Sequence, residues 1–298
     1  MRLKVILFRA AYNLPVTAGL ARGFFSRHGV DLDIVYTRGS RMTIDALTGG
    51  ECDLGVLAAD DVVYEVEAHG ADLIAFMGLH AGILHLVARP GITDARQLAG
   101  KRLGVDDPAS GFAIVAHKIL ERLGLKRSEY ATIAAGGHEP RSMALREGRI
   151  DVAISTPPFS LELVSQGFTL LARARDHIPR YQASCGVTTR RWAGKRENAG
   201  ALAAYVRAYR ESVEWVLDPA NRAAAVGELA AEFGLKPELA ESTYAALADR
   251  SDGLFPDARI DVPGVQTVLD LRVETGLLTA PTPDPSKYYD ARWLVERS

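Results

Sequence analysis

Several features are scarce in this chain of 298 residues, and each scarcity excludes a class of protein. Only two cysteines occur, Cys52 and Cys185, and neither belongs to a Cys-x-x-Cys pair, so we expect small buried hydrophobic residues rather than metal or redox groups. No apolar run approaches the about 18 residues that a transmembrane helix needs. The net charge of −2 argues against a general attraction to nucleic acid or anionic membranes.

The common catalytic and nucleotide-binding motifs are also missing. The chain contains no G-x-G-x-x-G, G-x-x-x-x-G-K-[ST], H-E-x-x-H or G-x-S-x-G, which removes the easily recognised dinucleotide, P-loop, zinc-protease and hydrolase explanations. The seven histidines are scattered, and no carboxylate or nucleophile stands at a fixed spacing from any of them. The sequence therefore predicts no metal site and no cofactor.

The amino terminus runs from Met1 directly into the apolar stretch Leu3–Phe8, without the features of a signal peptide. We therefore expect a periplasmic or otherwise extracytoplasmic protein if a leader was removed, and a cytoplasmic protein if Met1 is the native start.

One stretch of the chain occurs twice in similar form. The segment from Gly39, GSRMTIDALTGGECDLGVLAAD, recurs 98 residues later from Gly137 as GHEPRSMALREGRIDVAISTPP. Both copies contain a turn, a short amphipathic helix, a Gly-x-x-Asp corner that ends at Asp53 or Asp151, and an apolar strand. Two related α/β lobes that face each other across a cleft follow from this repeat.

The order of the elements favours a parallel sheet in each lobe. A strand over Leu3–Phe8 is followed by a helix over Val16–His28, whose Leu20, Phe24 and Phe25 we expect to pack on the sheet, and then by a strand over Asp31–Tyr36. Strands over Leu84–Arg89 and Ser184–Thr189 are predicted to cross between the lobes as a hinge. The predicted boundaries are 1–84 with 186–298 for the first lobe and 85–185 for the second.

The last third of the chain is predicted to be helical and to pack on the first lobe. The expected helices span Ala199–Leu217, Ala223–Phe233, Pro237–Leu247 and Val262–Thr275. Three aromatic residues near the end are expected to pin the tail to the body, namely Tyr288, Tyr289 and Trp293.

Ligands of parallel α/β sheets collect beyond the carboxyl ends of the strands, where helix N-termini also point. Applied to both copies of the repeat, this rule selects six loops with aromatic side chains for stacking and arginines for anions, Arg38 among the latter. The predicted ligand-binding residues are Arg9, Tyr12, Asn13, Gly39, Ser40, Arg41, Ala59, Asp60, His80, Ser110, Gly111, Phe112, Gly137, His138, Arg141, Thr156 and Pro157.

Two of these loops allow a structural explanation beside the functional one. Asp60 and Asp61 could be paired catalytic carboxylates, but adjacent acids in the first turn of a helix commonly cap it. Ser110 and Gly111 could present free backbone N–H groups to an anion, or could be an ordinary serine cap followed by a permissive glycine.

The order of the elements also resembles a known family. NLPVTAGLARGFFSRHGVDLDI, GSRMTIDALTGGECDLGV, ITDARQLAGKRLGV and EGRIDVAI are similar to segments of the substrate-binding proteins of ABC importers, in the group that takes alkanesulfonates, nitrate, taurine and thiamine-pyrimidine precursors. The resemblance implies a type II periplasmic binding protein fold, with two α/β lobes joined by two hinge strands that close on a small molecule. It extends from about Leu3 to Thr189 and more vaguely to KYYD near Tyr289.

The resemblance leaves three functions to be weighed. The first is a monomeric solute-binding protein that captures a small sulfonate, carboxylate, aromatic acid or pyrimidine and delivers it to an ABC permease. The second is a cytoplasmic lyase or decarboxylase on the same fold, in which Arg41 or Arg141 would hold a carboxylate and His80 or His138 would move a proton. The cysteine-rich motif expected of the related pyrimidine synthases is absent. The third is a ligand-sensing module of a regulator.

Overall fold

A computed structural model describes residues 1–294, so the last four residues of the predicted first lobe, 295–298, lie outside it. Its ten strands are β1 Arg2–Leu7, β2 Asp31–Tyr36, β3 Leu54–Ala58, β4 Leu73–His80, β5 His85–Ala88, β6 Arg102–Val105, β7 Ala131–Ala134, β8 Val152–Ser155, β9 Thr169–Arg173 and β10 Ser184–Thr189. Its helices are α1 Leu14–Ala21, α2 Phe24–Arg27, α3 Ser40–Thr48, α4 Ala59–His69, α5 Gly111–Arg122, α6 His138–Arg146, α7 Phe159–Ser165, α8 Ala174–His177, α9 Arg190–Ala193, α10 Arg196–Leu217, α11 Arg222–Phe233, α12 Pro237–Leu247 and α13 Val262–Glu274.

The strands form two five-stranded sheets with the same internal arrangement. The first has the order β2-β1-β3-β10-β4 and the second β7-β6-β8-β5-β9. In each sheet one antiparallel strand comes from a segment next to a crossing between the sheets, β10 in the first and β5 in the second. We call the first sheet with α1–α4 and α9–α13 the first lobe, and the second sheet with α5–α8 the second lobe. The predicted α/β class with two related lobes is confirmed.

The 98-residue repeat has a structural cause. Helices α3 and α6 begin and end at matching positions, and Asp53 and Asp151 perform the same task in both copies. Asp53 accepts a hydrogen bond from the backbone N–H of Lys4 at 2.8 Å, and Asp151 accepts one from that of Arg102 at 3.0 Å. The Gly-x-x-Asp corner therefore ties the strand that follows it to the neighbouring strand of the sheet.

The predicted helix over Val16–His28 is divided into α1 and α2. Gly23 has a φ of 68°, a left-handed conformation that ends the first helix and starts the second. The expected packing on the sheet is wrong for Leu20, which is 37% exposed. Phe25 is buried in the same apolar cluster as Leu3 and Val5 of β1, and its ring also packs against Tyr205 of α10 with the centroids 5.4 Å apart.

The carboxyl-terminal helices pack on the first lobe and also reach the second. Helix α10 packs against α1 and α2, as predicted, whereas α12 contacts α7 and α13 contacts α5. The Nζ atom of Lys118 lies 2.8 Å from a carboxylate oxygen of Glu274 at the second of these contacts. Two tyrosines fix the tail. Tyr288 is buried and donates a hydrogen bond from its hydroxyl group to Glu67 at 2.7 Å, and Tyr289 forms an isolated parallel β-bridge with Ala75.

Candidate functional site

A pocket lies between the two lobes at the carboxyl ends of β1, β2 and β3 in the first lobe and of β6 and β7 in the second. Its empty volume, including the space at its mouth, is ≈ 350 Å³. Both lobes line it, through Phe8, Tyr12, Ser40, Val56, Leu57, Ala58, Asp61 and Ser184 of the first and Asp106, Ser110, Phe112, Gly137, His138 and Arg141 of the second. The location follows the rule for ligand sites at strand ends in parallel sheets.

Aromatic rings form one side of the pocket. The edge of Tyr12 faces the ring of His138 with the centroids 6.4 Å apart, and Phe8 meets the same imidazole at 6.2 Å. Phe159 supports His138 from behind in a stacked arrangement, with 5.9 Å between the centroids and 8° between the planes. These contacts hold the rings in place and leave a surface that suits a flat ligand.

Three charged side chains meet in the pocket. Arg141, which is 1% exposed, has its Nη1 atom 3.7 Å from Oδ1 of Asp106 and donates a hydrogen bond to the carbonyl of Gly136 at 3.2 Å. Asp106 also accepts hydrogen bonds from Ser110 Oγ at 2.6 Å and Ser40 Oγ at 2.9 Å. Burial lowers the pKa of Arg141, although a guanidinium stays charged at neutral pH.

Asp61 is the third charged residue. It is buried and accepts a hydrogen bond from the backbone N–H of Gly111 at 2.8 Å. Burial, together with the charges of Asp106 and Asp60, raises its pKa to about 7. The hydrogen bonds that Asp61 receives from Gly111 and the side chain of Ser40 only partly offset this effect.

The lobes touch across the pocket at several hydrogen bonds. Asp61 of the first lobe meets Gly111 of the second, Ser40 meets Asp106, and the N–H of Gly137 donates to the carbonyl of Arg38 at 3.2 Å. The close approach at Gly111 requires the absence of a side chain, because an added Cβ would lie 2.5 Å from Cβ of Asp60. These contacts define a closed arrangement of the two lobes.

Seven of the residues predicted from the sequence line the pocket, namely Tyr12, Ser40, Ser110, Phe112, Gly137, His138 and Arg141. Ser110 also caps α5 by accepting a hydrogen bond from the N–H of Ala113, and the N–H of Gly111 is already bonded to Asp61. The structural explanation of this loop is therefore correct, and Gly111 serves lobe contact rather than anion binding.

Three of the predicted arginines, Arg9, Arg38 and Arg41, lie outside the pocket lining. Arg9 is exposed, with Nη1 3.7 Å from Glu139 of the second lobe and its guanidinium over the ring of Phe233. Arg41 pairs with the buried Glu65 and with Asp45. Arg141 is thus the predicted arginine that reaches the pocket.

Asp60 and Asp61 do not act as the helix cap that their position suggested. No side chain caps α4. Asp60 is buried in an ion pair with Arg272 of α13, with Nε and Oδ1 2.9 Å apart, and points away from the lining that its neighbour Asp61 forms. Ala59, beside them, donates its N–H to the carbonyl of Ala183 at 2.7 Å and is a structural contact.

The remaining predicted residues lie behind or beside the lining. His80 is fully buried, its ring centroid is 4.7 Å from that of Tyr12, and neither ring nitrogen has a hydrogen-bond partner among the described residues. Asn13 donates to the carbonyl of Phe8 at 2.7 Å, and Thr156 is buried at 3.5 Å from Nε2 of His138. Two further positions are absent from the lining, Gly39 at the start of α3 and Pro157 before α7.

Sequence reasoning missed half of the lining, namely Phe8, Val56, Leu57, Ala58, Asp61, Asp106 and Ser184. Asp106 directly follows β6, so the rule about strand ends should have included it. Phe8 is equally placed after β1. No signal in the sequence marked Ser184, because it comes from β10, which joins the sheet from a distant part of the chain.

Comparisons with known proteins agree with this architecture. A family model described as NMT1/THI5 like matches residues 10–223, which is more than half of the chain. The chain belongs to the NMT1/THI5-like family. The resemblance to the group that contains sulfonate- and nitrate-binding proteins is thereby confirmed. The comparison with curated protein sequences finds no match.

Several solved structures share the fold at low sequence identity. The nitrate-binding protein NrtA from Synechocystis PCC 6803 is 13% identical with a TM-score of 0.83, covering 97% of this chain and 86% of its own. A ligand-binding component of an ABC-type import system from Staphylococcus aureus, with zinc bound, is 16% identical with a TM-score of 0.82, covering 100% and 99%. The alkanesulfonate-binding protein SsuA from Xanthomonas axonopodis pv. citri, bound to MOPS, is 19% identical with a TM-score of 0.80, covering 97% and 98%.

Residues 1–294 lack two features of other kinds of protein, a cluster of metal ligands and a helix that could span a membrane. No three or more histidine, cysteine, aspartate or glutamate side chains of this part of the chain are grouped to hold a metal ion. No helix in the same range is long and apolar enough to cross a membrane. Cys52 and Cys185 are buried and free, as expected.

Proposed function

We propose that this protein is a solute-binding protein that captures a small organic molecule between its lobes and presents it to the permease of an ABC importer. One observation carries the proposal: the pocket takes its lining from both lobes, and the hydrogen bond from Gly111 to Asp61 joins the lobes at the pocket itself. A ligand that touches both lobes stabilises their contact, because it loses half of its contacts when they separate. Closure would then report occupancy to the partner.

The importer as partner is supported by the kinds of protein that share the fold. The neighbours described above are named as sulfonate-binding, nitrate-binding and import-system proteins. A permease that accepts only the closed form needs a protein whose two lobes move as units. The two crossings between the lobes, at residues 81–84 and 178–183, provide the hinge. We propose a monomer that acts on the outer side of the membrane.

The two histidines named for the enzymatic alternative, His80 and His138, are poorly suited to move protons near neutral pH. Burial lowers the pKa of His80 to about 3, and burial with the charge of Arg141 lowers that of His138 well below its usual value. Nδ1 of His138 faces the guanidinium of Arg141 at 3.2 Å, and neither imidazole is hydrogen-bonded to a carboxylate within residues 1–294. Both histidines suit packing and hydrogen bonding better than acid–base catalysis.

A ligand screen tests the proposal directly. The purified chain is heated with small sulfonates, aromatic and aliphatic carboxylates, pyrimidines and nitrogen bases, and each compound that raises Tm is recovered and analysed by mass spectrometry. A ligand present at 100 times its Kd adds about 2.7 kcal/mol to the free energy of unfolding. We expect at least one such shift and an unchanged compound.

Three outcomes separate the alternatives. A stabilising compound that is returned intact, with a smaller radius of gyration in solution scattering, supports capture by closure. Conversion of the compound into a product overturns the proposal in favour of an enzyme. A screen in which every class of compound leaves Tm unchanged contradicts the proposal as well.

A further inference from the structure

We propose that the pocket selects a flat nitrogen base, which brings a positive charge or N–H donors to Asp61, and that it rejects simple organic anions. This inference rests on the proposed solute-binding function and names the chemical class of the solute. This ligand class differs from the sulfonate and the nitrate that appear in the names of two structural neighbours described above.

The first step is the charge balance of the pocket. Its ionisable lining consists of Arg141, Asp106, Asp61, His138 and Tyr12. Burial keeps His138 neutral by lowering its pKa and keeps Tyr12 neutral by raising its pKa. Two carboxylates therefore face a single guanidinium, and the pocket is negative whenever both carboxylates are ionised.

The second step is that the guanidinium of Arg141 already lies beside a carboxylate. Asp106 is 3.7 Å from it and accepts hydrogen bonds from the hydroxyl groups of Ser40 and Ser110. Arg141 also donates to Gly136 and lies against His138, and its buried Nε–H, which has no partner among the described residues, could donate one hydrogen bond to a neutral acceptor. An anion that approached Arg141 would also come close to Asp106, and the two like charges would repel each other.

The third step is the position of Asp61. The neighbouring Asp60 is neutralised by Arg272, but Asp61 has no basic side chain in contact and one backbone donor, Gly111, within the described part of the chain. A buried carboxylate without a basic partner raises the free energy of the folded state unless a hydrogen-bond donor reaches it. An amidine, an aminopyrimidine or an ammonium group supplies that donor, and a carboxylate or sulfonate adds a further negative charge instead.

The fourth step is shape. Phe8, Tyr12, Phe112 and His138 line the pocket with ring side chains, which suit contact with a flat ring. Rings of this kind also attract cations through their faces. An aromatic or heteroaromatic base satisfies the aromatic wall and Asp61 together.

A set of isosteric probes isolates the charge. Benzamidine, benzamide and benzoate share one flat shape and carry a positive charge, no charge and a negative charge. Calorimetric titration of the full chain at pH 8 should give affinities in that order, with at least a tenfold difference between benzamidine and benzoate. Asp61→Asn should weaken the affinity for benzamidine at least tenfold and change the affinity for benzamide by less than threefold. Asp45→Asn, on the exposed face of α3, is the control for a change in net charge and should change neither.

The outcomes distinguish this inference from the function on which it rests. Tighter binding of benzoate or of methanesulfonate than of benzamidine overturns the choice of a base, while capture of a solute stands. If Asp61→Asn weakens the affinities for benzamidine and benzamide equally, Asp61 acts only by maintaining the structure of the pocket. That result also overturns the inference. Failure of all three probes contradicts it too, and the broader ligand screen then decides separately whether the cleft binds solutes.

Discussion

Replacement of Gly111 by alanine places a methyl group between the two lobes. The added Cβ would lie 2.5 Å from Cβ of Asp60 and 3.2 Å from Cβ of Ala58, both of which belong to the first lobe. Contacts this short do not occur between carbon atoms, so the lobes must separate. The hinge provides a way to do so without unfolding, because Gly111 is the first residue of α5 and alanine suits a helix better than glycine.

The size of the effect follows from the cost of overpacking. Forcing an extra methyl group into a well-packed contact costs about 1–3 kcal/mol. If this cost falls on the closed arrangement alone, the population of that arrangement declines and the apparent Kd rises by roughly 5- to 150-fold. The hydrogen bond from Gly111 to Asp61 is lost at the same time, which acts in the same direction.

The assay combines affinity with shape. A ligand found by the screen is titrated into Gly111→Ala by calorimetry, and solution scattering records the radius of gyration with and without it. We expect weaker binding, a larger radius of gyration and an unchanged midpoint in urea for the protein alone. Gly39→Ala is the matched control at the start of α3, where an added Cβ meets nothing within 4 Å. Binding by Gly111→Ala within a factor of two of the unsubstituted protein would refute the reasoning about closure.

Three other substitutions test the buried charges. Arg272→Met leaves Asp60 without its partner and should lower the free energy of unfolding by about 3–5 kcal/mol in urea, and adding Asp60→Asn should restore most of it. Asp61 has a pKa of about 7 when folded against 3.8 in an unfolded chain, so the folded state binds the extra proton between these values and stability falls as pH rises. Asp61→Asn should therefore show a smaller decline in Tm from pH 5 to pH 8. Asp151→Asn should cost about 1–3 kcal/mol at pH 7, since Arg102 lowers the pKa of this carboxylate, and the difference should shrink as pH falls below 3.8.

Each of these expectations has an outcome that contradicts it. A loss below 1 kcal/mol in Arg272→Met would mean that Asp60 is not charged in the folded protein. A decline of Tm with pH as steep in Asp61→Asn as in the unsubstituted protein would assign the titration to another group. A difference for Asp151→Asn that does not change with pH would show that its hydrogen bonds, and not its charge, stabilise the corner.

Much of the fold could be predicted because its signals are local or repeated. The alternation of apolar residues located the strands, the glycines and prolines located the ends of helices, and the 98-residue repeat indicated two lobes before any packing was known. Helix α12 begins and ends as predicted. The division of the first helix at Gly23 was missed, since glycine inside a helical pattern does not by itself reveal a left-handed conformation.

The candidate site was only partly predictable because its residues come from both lobes. Several of the selected loops at strand ends contain residues that line the pocket, among them Tyr12, Ser40 and Arg141. Within a loop, however, the sequence does not say which side chain enters the pocket. Asp60 was chosen and Asp61 lies in the lining, because adjacent residues of a helix point about 100° apart and the docking of α4 decides which one faces the cleft.

The sequence by itself determined the class of fold, the two related lobes and the family, since these depend on periodicity and on residues close together in the chain. Only the tertiary structure decided the charges of the pocket. Arg272, which is 212 residues further along the chain, neutralises Asp60. Asp106 lies 3.7 Å from the guanidinium of Arg141 within the second lobe. Whether a buried charge is free for a ligand depends on its partners, and those partners are brought together by folding rather than by proximity in sequence.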